Sequence, residues 1–141
     1  MLSFGDIVSE GFLLSCFRRA ALATILLFPG PALAEGLIIV SDPLACGLTE
    51  DSRDVSVFKI VDAGHLVLQE HGIDGFEYTC EFERPIAFDW ADFKIDSRSG
   101  YCNEPGFLEP GVFAMMFTEP GEIIVHATMW DEPIPFRACP R

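Results

Sequence analysis

Phe76-Glu77-Tyr78-Thr79-Cys80-Glu81-Phe82-Glu83 is the stretch on which the reading of the fold turns. Apolar and polar residues alternate through it without a break. Successive side chains of a strand point to opposite faces, so Phe76, Tyr78, Cys80 and Phe82 share one face and Glu77, Thr79, Glu81 and Glu83 the other. This period of two predicts a half-buried β-strand. Arg84-Pro85 predicts a turn, with proline at the entry of the next strand, where its missing N–H is tolerated. Beyond it Ile86, Phe88 and Trp90 fall on one inward face, which sends Asp89 outward with the glutamates. The expected unit is a hairpin over 76–90 with an acidic outer side.

Working outward, further strands are expected at 37–40, 55–61, 65–70, 112–118, 123–130 and 134–139. Turn signals separate several of them: Asp62-Ala63-Gly64, Gly72-Ile73-Asp74-Gly75 and Glu119-Pro120-Gly121. No amphipathic helix of useful length is expected. Residues 92–111, with Ser97-Arg98-Ser99-Gly100, read as a long loop pinned by Cys102. Short strands with Gly and Pro punctuation and no helices between them indicate an all-β fold, a small antiparallel β-sandwich or barrel.

The N-terminal 34 residues read differently. Arg18-Arg19 precedes a short apolar run, Ala20 to Phe28, which Pro29-Gly30-Pro31 breaks before Ala32-Leu33-Ala34. A positive flank, a short apolar core and an A-x-A site together make a cleavable signal peptide. The core is less than half the roughly 20 residues that span a bilayer, so no membrane span is expected in the mature chain. The domain assignment is therefore 1–34 signal peptide and 35–141 a single exported β domain, periplasmic or secreted. Cleavage would remove Asp6 and Glu10 with Arg18 and Arg19, leaving the net charge of the whole chain, −13, unchanged.

Cys16 leaves with the signal, and Cys46, Cys80, Cys102 and Cys139 remain. An even number in a short exported domain predicts two disulfides. No C-x2-C pair is present, which argues against structural zinc. Four cysteines permit three connectivities. The nested one, Cys80–Cys102 inside Cys46–Cys139, is expected because its outer bridge would tie the start of the domain to its end.

Composition narrows the function. With 22 acidic against 9 basic residues, the chain lacks the clustered Lys and Arg that nucleic acid requires. A 50% hydrophobic content also excludes a disordered acidic tail. There is no G-x-S-x-G elbow, phosphate-binding Gly-rich loop or H-E-x-x-H motif. His65 and His71 would bracket one strand and stand roughly 20 Å apart, too far to share a metal. His126, in phase with Ile124, Thr128 and Trp130, reads as a semi-buried histidine bonded to backbone. With so many acids, pairs at a catalytic separation arise by chance and discriminate nothing. Asp89, Asp92 and Asp96 lie close in sequence, but no calcium-loop motif contains them. No catalytic residue, metal site or cofactor is assigned. Met115-Met116 reads as filler of the core and the barrel edge, and Trp130 as an exposed anchor at a strand end.

The run from Gly72 to Cys80, with Phe136-Arg137-Ala138-Cys139, resembles small exported four-cysteine β proteins. In size and architecture the chain is also similar to periplasmic lysozyme-inhibitor barrels, a likeness that carries over to no individual residue. The expected function is a non-catalytic exported binding module that meets a cationic protein through Glu77, Glu81, Glu83 and Asp89. The alternative is a small hydrolase or metal-assisted enzyme whose residues converge only in the fold.

Overall fold

Residues 37–91 and 93–140 are described by a computed structural model. The expected signal peptide, with Cys16 and the cleavage site before Glu35, lies outside these residues, as does Asp92.

The alternating stretch forms a strand over its second half only. β4 (Thr79–Phe82) buries Cys80 and Phe82 and exposes Thr79 and Glu81, in the expected phase. It pairs antiparallel with β3 (Gly72–Asp74) on one side and β5 (Ile95–Glu104) on the other. The remaining strands are β1 (Ile39–Val40), β2 (Val67–Gln69), β6 (Phe107–Glu119), β7 (Glu122–Ala127) and β8 (Ile134–Ala138). Each pairs antiparallel with its successor, and β8 returns to β1 through Ile39↔Ala138 and Val40↔Arg137, closing an eight-stranded barrel. Closure leaves the sheet without the open edges that a sandwich must protect.

Inward residues fill the barrel. Phe113, Phe117, Phe136, Ile39, Leu68 and Ile73 are among its fully buried side chains. Burial of each contributes about 1.5–3 kcal/mol. Phe113 is the hub: the Phe82 ring meets it edge-on at 5.0 Å and Trp130 at 6.2 Å. Trp130 is thus half-buried against the core rather than an exposed anchor. Met115 is fully buried, whereas its neighbour Met116 points outward, as alternation requires.

Two expected elements are corrected. Residues 55–61 belong to a helix, α1 (Arg53–Asp62), not a strand. Val55-Ser56-Val57-Phe58-Lys59-Ile60-Val61 satisfies both periods, since Ser56/Ile60 and Val57/Val61 are also spaced by one helical turn. What decides is the outer wall of β1 and β2, where Ile38, Val40 and Val67 need cover. Ile60 and Ala45 supply it in a second core that includes Cys139. Asp54 in the first turn and Lys59 in the last suit the helix dipole. Buried Ser56 is satisfied locally: its hydroxyl lies 2.8 Å from the Ser52 carbonyl and accepts from the Glu50 N–H at 2.7 Å. A 3-10 helix, Pro43–Leu48, precedes α1, with the Asp42 carboxylate accepting from the Leu44 N–H.

The long loop expected at 92–111 is not found over its described residues, 93–111. They contain all of β5 and the start of β6, paired from Ile95↔Met116 to Glu104↔Phe107 around Pro105-Gly106. The pattern hides the strand because its polarity is reversed, with Ile95 exposed while Asp96 and Arg98 are half-buried and paired with each other.

The segment after β4 is likewise not a strand. From Glu83, whose N–H bonds to the Ser99 carbonyl, the chain crosses one end of the barrel. The Ile86 N–H reaches the Glu70 carbonyl in the β2–β3 turn. Ile86 is buried, Phe88 stacks on Trp90, and Trp90 meets Phe117 edge-on at 6.0 Å. The inward triplet therefore plugs the barrel end instead of lining a sheet. Trp90 adopts a left-handed φ of 51°, which its packing must hold.

The structure bonds Cys80 to Cys102, directly opposed on β4 and β5, and Cys46 to Cys139. The first bridge lies inside the barrel, and the second fastens the 3-10 helix to the chain beyond β8. Among the described residues no helix is long and apolar enough to cross a membrane.

Candidate functional site

Acidic residues gather around β4 from three strands, Asp74 on β3, Glu81 on β4 and Glu104 at the end of β5, and from the turns that carry Glu70 and Glu77. The register sets Gln69, Gly72, Glu81 and Tyr101 in one row across β2, β3, β4 and β5. Gly72 interrupts that row, and no larger residue fits: a Cβ there would lie 1.9 Å from the Cys80 carbonyl oxygen. The gap opens an indentation of about 200 Å³ lined by Arg53, Gln69, Glu70, His71, Asp74 and Glu81 among others. Its side chains are linked. The Arg53 guanidinium donates to Gln69 Oε1 at 3.4 Å, and the Gln69 amide donates to the Asp74 carboxylate.

Glu81 stands at the margin, exposed, and accepts a hydrogen bond from the Tyr101 hydroxyl. That hydrogen bond to a carboxylate holds the Tyr101 phenol above its ordinary pKa, with desolvation and the negative charge of Glu81 adding to the effect. A neighbouring depression of about 410 Å³ shares Thr79 with the first and is lined by Glu77, Tyr78 and Glu104 together with Gly and Pro backbone. Burial raises the Tyr78 pKa, and the Glu104 charge raises it further. The phenol there is thus a neutral donor at physiological pH. Arg53 is the one Lys or Arg among the residues lining the two depressions.

The four expected acidic residues do not form one face. Glu81 and Glu83 are two residues apart and both exposed, the arrangement alternation predicts. Glu77 precedes β4, with a φ of 109°, so the strand's phase does not reach it, and it lines the second depression instead. Phe76 is exposed for the same reason. Asp89 lies on the segment crossing the barrel end, bonded to Lys94 Nζ at 2.8 Å. That bond lowers its pKa, with lesser help from the Ala91 N–H. Its charge is already matched. Residues 76–90 thus form no hairpin, because β4 takes β3 and β5 as partners.

Glu70, Asp74, Glu104 and Arg53 are the additions that only the fold supplies. The stretch Gly72-Ile73-Asp74-Gly75, expected as a turn, supplies β3 instead, and Gly72 there is a glycine within a strand at a close backbone approach.

The remaining titratable groups are placed as follows. His126 is exposed on the outer face of β7, because Ile123, Val125 and Ala127 take the inward phase; its Nδ1 lies 3.2 Å from the Ala127 carbonyl. This corrects the semi-buried expectation. His65 sits 3.7 Å from the Asp42 carboxylate. His65 and His71 flank β2 at opposite ends. Asp96 is engaged by Arg98. Among the described residues, no group of three or more His, Cys, Asp or Glu is placed to hold a metal ion. No family model, curated protein or solved structure matches this chain.

Proposed function

We propose that the protein is an exported, non-catalytic binding module, periplasmic or secreted, that takes a cationic protein partner on the acidic wall around β4. The supporting observation is the pair of adjoining depressions, lined by Glu70, Asp74 and Glu81 and by Glu77 and Glu104, with Arg53 the one Lys or Arg among their lining residues. At about 200 and about 410 Å³ both have room for a basic side chain. Like charges crowded on neighbouring strands repel, and an incoming Lys or Arg relieves that repulsion. Tyr101 holds the Glu81 carboxylate in place, which lowers the cost of ordering it on binding. The net charge of −13 steers a basic partner from a distance. Two disulfides suit an oxidising compartment.

The test is capture from envelope extract at low and high salt, followed by association kinetics with the partner recovered. A functional wall gives an association rate that falls steeply with salt. Glu77→Lys with Glu81→Lys abolishes capture while thermal stability stays equal or rises. Undiminished capture by that double variant would reduce the wall to a solvated surface. Intact mass of exported material tests the compartment: it should begin at Glu35 and carry no alkylatable thiol before reduction.

A further inference from the structure

One outer side of the barrel is unlike the rest of this acidic chain. Alternation turns Ile95, Ser97, Ser99, Tyr101 and Asn103 outward on β5. On β6 it turns Leu108, Pro110, Val112, Ala114, Met116 and Thr118 outward. None of these side chains is charged, in a chain with 22 acidic and 9 basic residues. The charged residues of the same hairpin lie elsewhere: Asp96, Arg98 and Glu109 take the opposite phase, Glu104 takes it too at the strand end where it lines the second depression, and Glu119 ends β6 beyond a register shift. Such an arrangement gives up a solvated face for an apolar one. Ile95 is 70% exposed and Met116 42%.

The register also gives the face relief. Ile95, Met116, Ile124 and Pro135 are directly opposed across β5, β6, β7 and β8 and make a ridge of large apolar side chains. One pleat further along, roughly 7 Å away, Ser97, Ala114 and His126 form the next row. The small side chains of Ser97 and Ala114 make that row a trough across β5 and β6, which the exposed His126 closes on β7.

We propose that this face is where two copies of the chain pack together, outer wall against outer wall, about a two-fold axis. Shape supports it: an axis lying between ridge and trough lays the ridge of each copy into the trough of the other, at the roughly 10 Å spacing of packed sheets. Charge selects the occupant. A partner with a charged surface would be desolvated here with nothing to pair with. A second copy brings a matching face whose β5 and β6 side chains are uncharged and whose Glu122 and Arg137, at the β7–β8 end, already pair with each other, so this contact adds no uncompensated carboxylate to the repulsion between two −13 chains. Area is sufficient for a reversible dimer. β5, β6 and β7 hold 10, 13 and 6 residues; at about 3.3 Å per residue and about 4.8 Å between strands they project roughly 450 Å² per copy, so two copies approach the roughly 1,000 Å² of a specific interface before relief is counted.

Sedimentation equilibrium of the disulfide-bonded protein over a concentration series tests this. A monomer–dimer equilibrium is expected, and it should persist at high salt, where capture of a cationic partner on the β4 wall is lost. Met116→Glu should weaken dimerisation at least about tenfold, since the two-fold axis brings both new charges into one apolar interface. Mixing Met116→Glu with Met116→Lys chains should restore a dimer that neither forms alone. Both positions are solvent-facing, and Ser97→Glu on the same face serves if Met116→Glu fails to fold by circular dichroism. A wild-type chain monomeric throughout, or a Met116→Glu chain that dimerises like wild type, overturns the proposal. So does monomer binding to phosphatidylcholine vesicles that Met116→Glu prevents, because it would assign the face to a lipid surface.

Discussion

Removing the outer bridge, by Cys46→Ala with Cys139→Ala, is the perturbation whose cost follows most directly from the fold. The bridge closes a loop with a sequence separation of 93, against 22 for Cys80–Cys102. In the chain-entropy relation these loops are worth about 4.6 and about 3.4 kcal/mol respectively at 25 °C. A small domain has about 5–15 kcal/mol in total, so the variant should be close to unfolding. Location adds a second effect. Cys139 belongs to the second core with Ile38, Val40, Ala45, Ile60 and Val67, and Cys46 packs against it. The bridge thus clasps the helical layer to the β1–β8 seam, where β1 contributes only Ile39 and Val40 to the ladder. Without it that layer should open locally before the barrel does. Guanidinium unfolding of oxidised wild type and variant, with amide exchange, measures both effects. The expected result is a loss of about 4–5 kcal/mol and a larger m-value, because the unlinked unfolded chain exposes more surface. Amides of α1 should lose protection while those of β5 and β6 keep it. A loss under about 1 kcal/mol, well below the range for native bridges in small secreted domains, would refute the reasoning. Simultaneous loss of protection in α1 and the β5–β6 hairpin would refute the clasp.

Gly72→Ala should destabilise by more than about 2 kcal/mol, because the new Cβ meets the Cys80 carbonyl, backbone that cannot move without breaking the β3–β4 ladder. Gly47→Ala meets nothing within 4 Å and is the control, expected to leave the melting temperature unchanged. Glu81→Gln should bring the Tyr101 titration, followed by phenolate absorbance, down toward its ordinary value of 10.0. The sign follows from linkage: a phenol pKa raised in the folded state stabilises below its unfolded value, and the gain is lost as pH rises through the folded one. Wild type should therefore lose stability relative to Glu81→Gln only in strongly alkaline solution, and an unmoved Tyr101 titration would remove the hydrogen bond from the account.

What the amino-acid order settles by itself is local phase. Cys80 and Phe82 point inward and Glu81 outward because a strand's geometry permits nothing else once those residues are in one. Ile86, Phe88 and Trp90 were legible as inward residues even though they plug a barrel end and pair with no strand. The same local rule fails at 55–61, where valines and isoleucine satisfy two periods at once. There the bare outer wall of β1 and β2 selects the helix. It fails again at 95–104, where Asp96 and Arg98 neutralise each other under Pro85 and leave Ile95 to solvent. Tertiary structure alone chose a barrel over a sandwich, since that choice rests on β1 meeting β8 across almost the whole domain. It also chose the members of the acidic wall: Glu70, Asp74 and Glu104 join Glu81 through turns and ladders that no short window contains. Phase is a property of neighbouring residues along the chain. Burial and charge environment are properties of whatever packs across a face, and in a closed barrel that neighbour comes from elsewhere in the sequence.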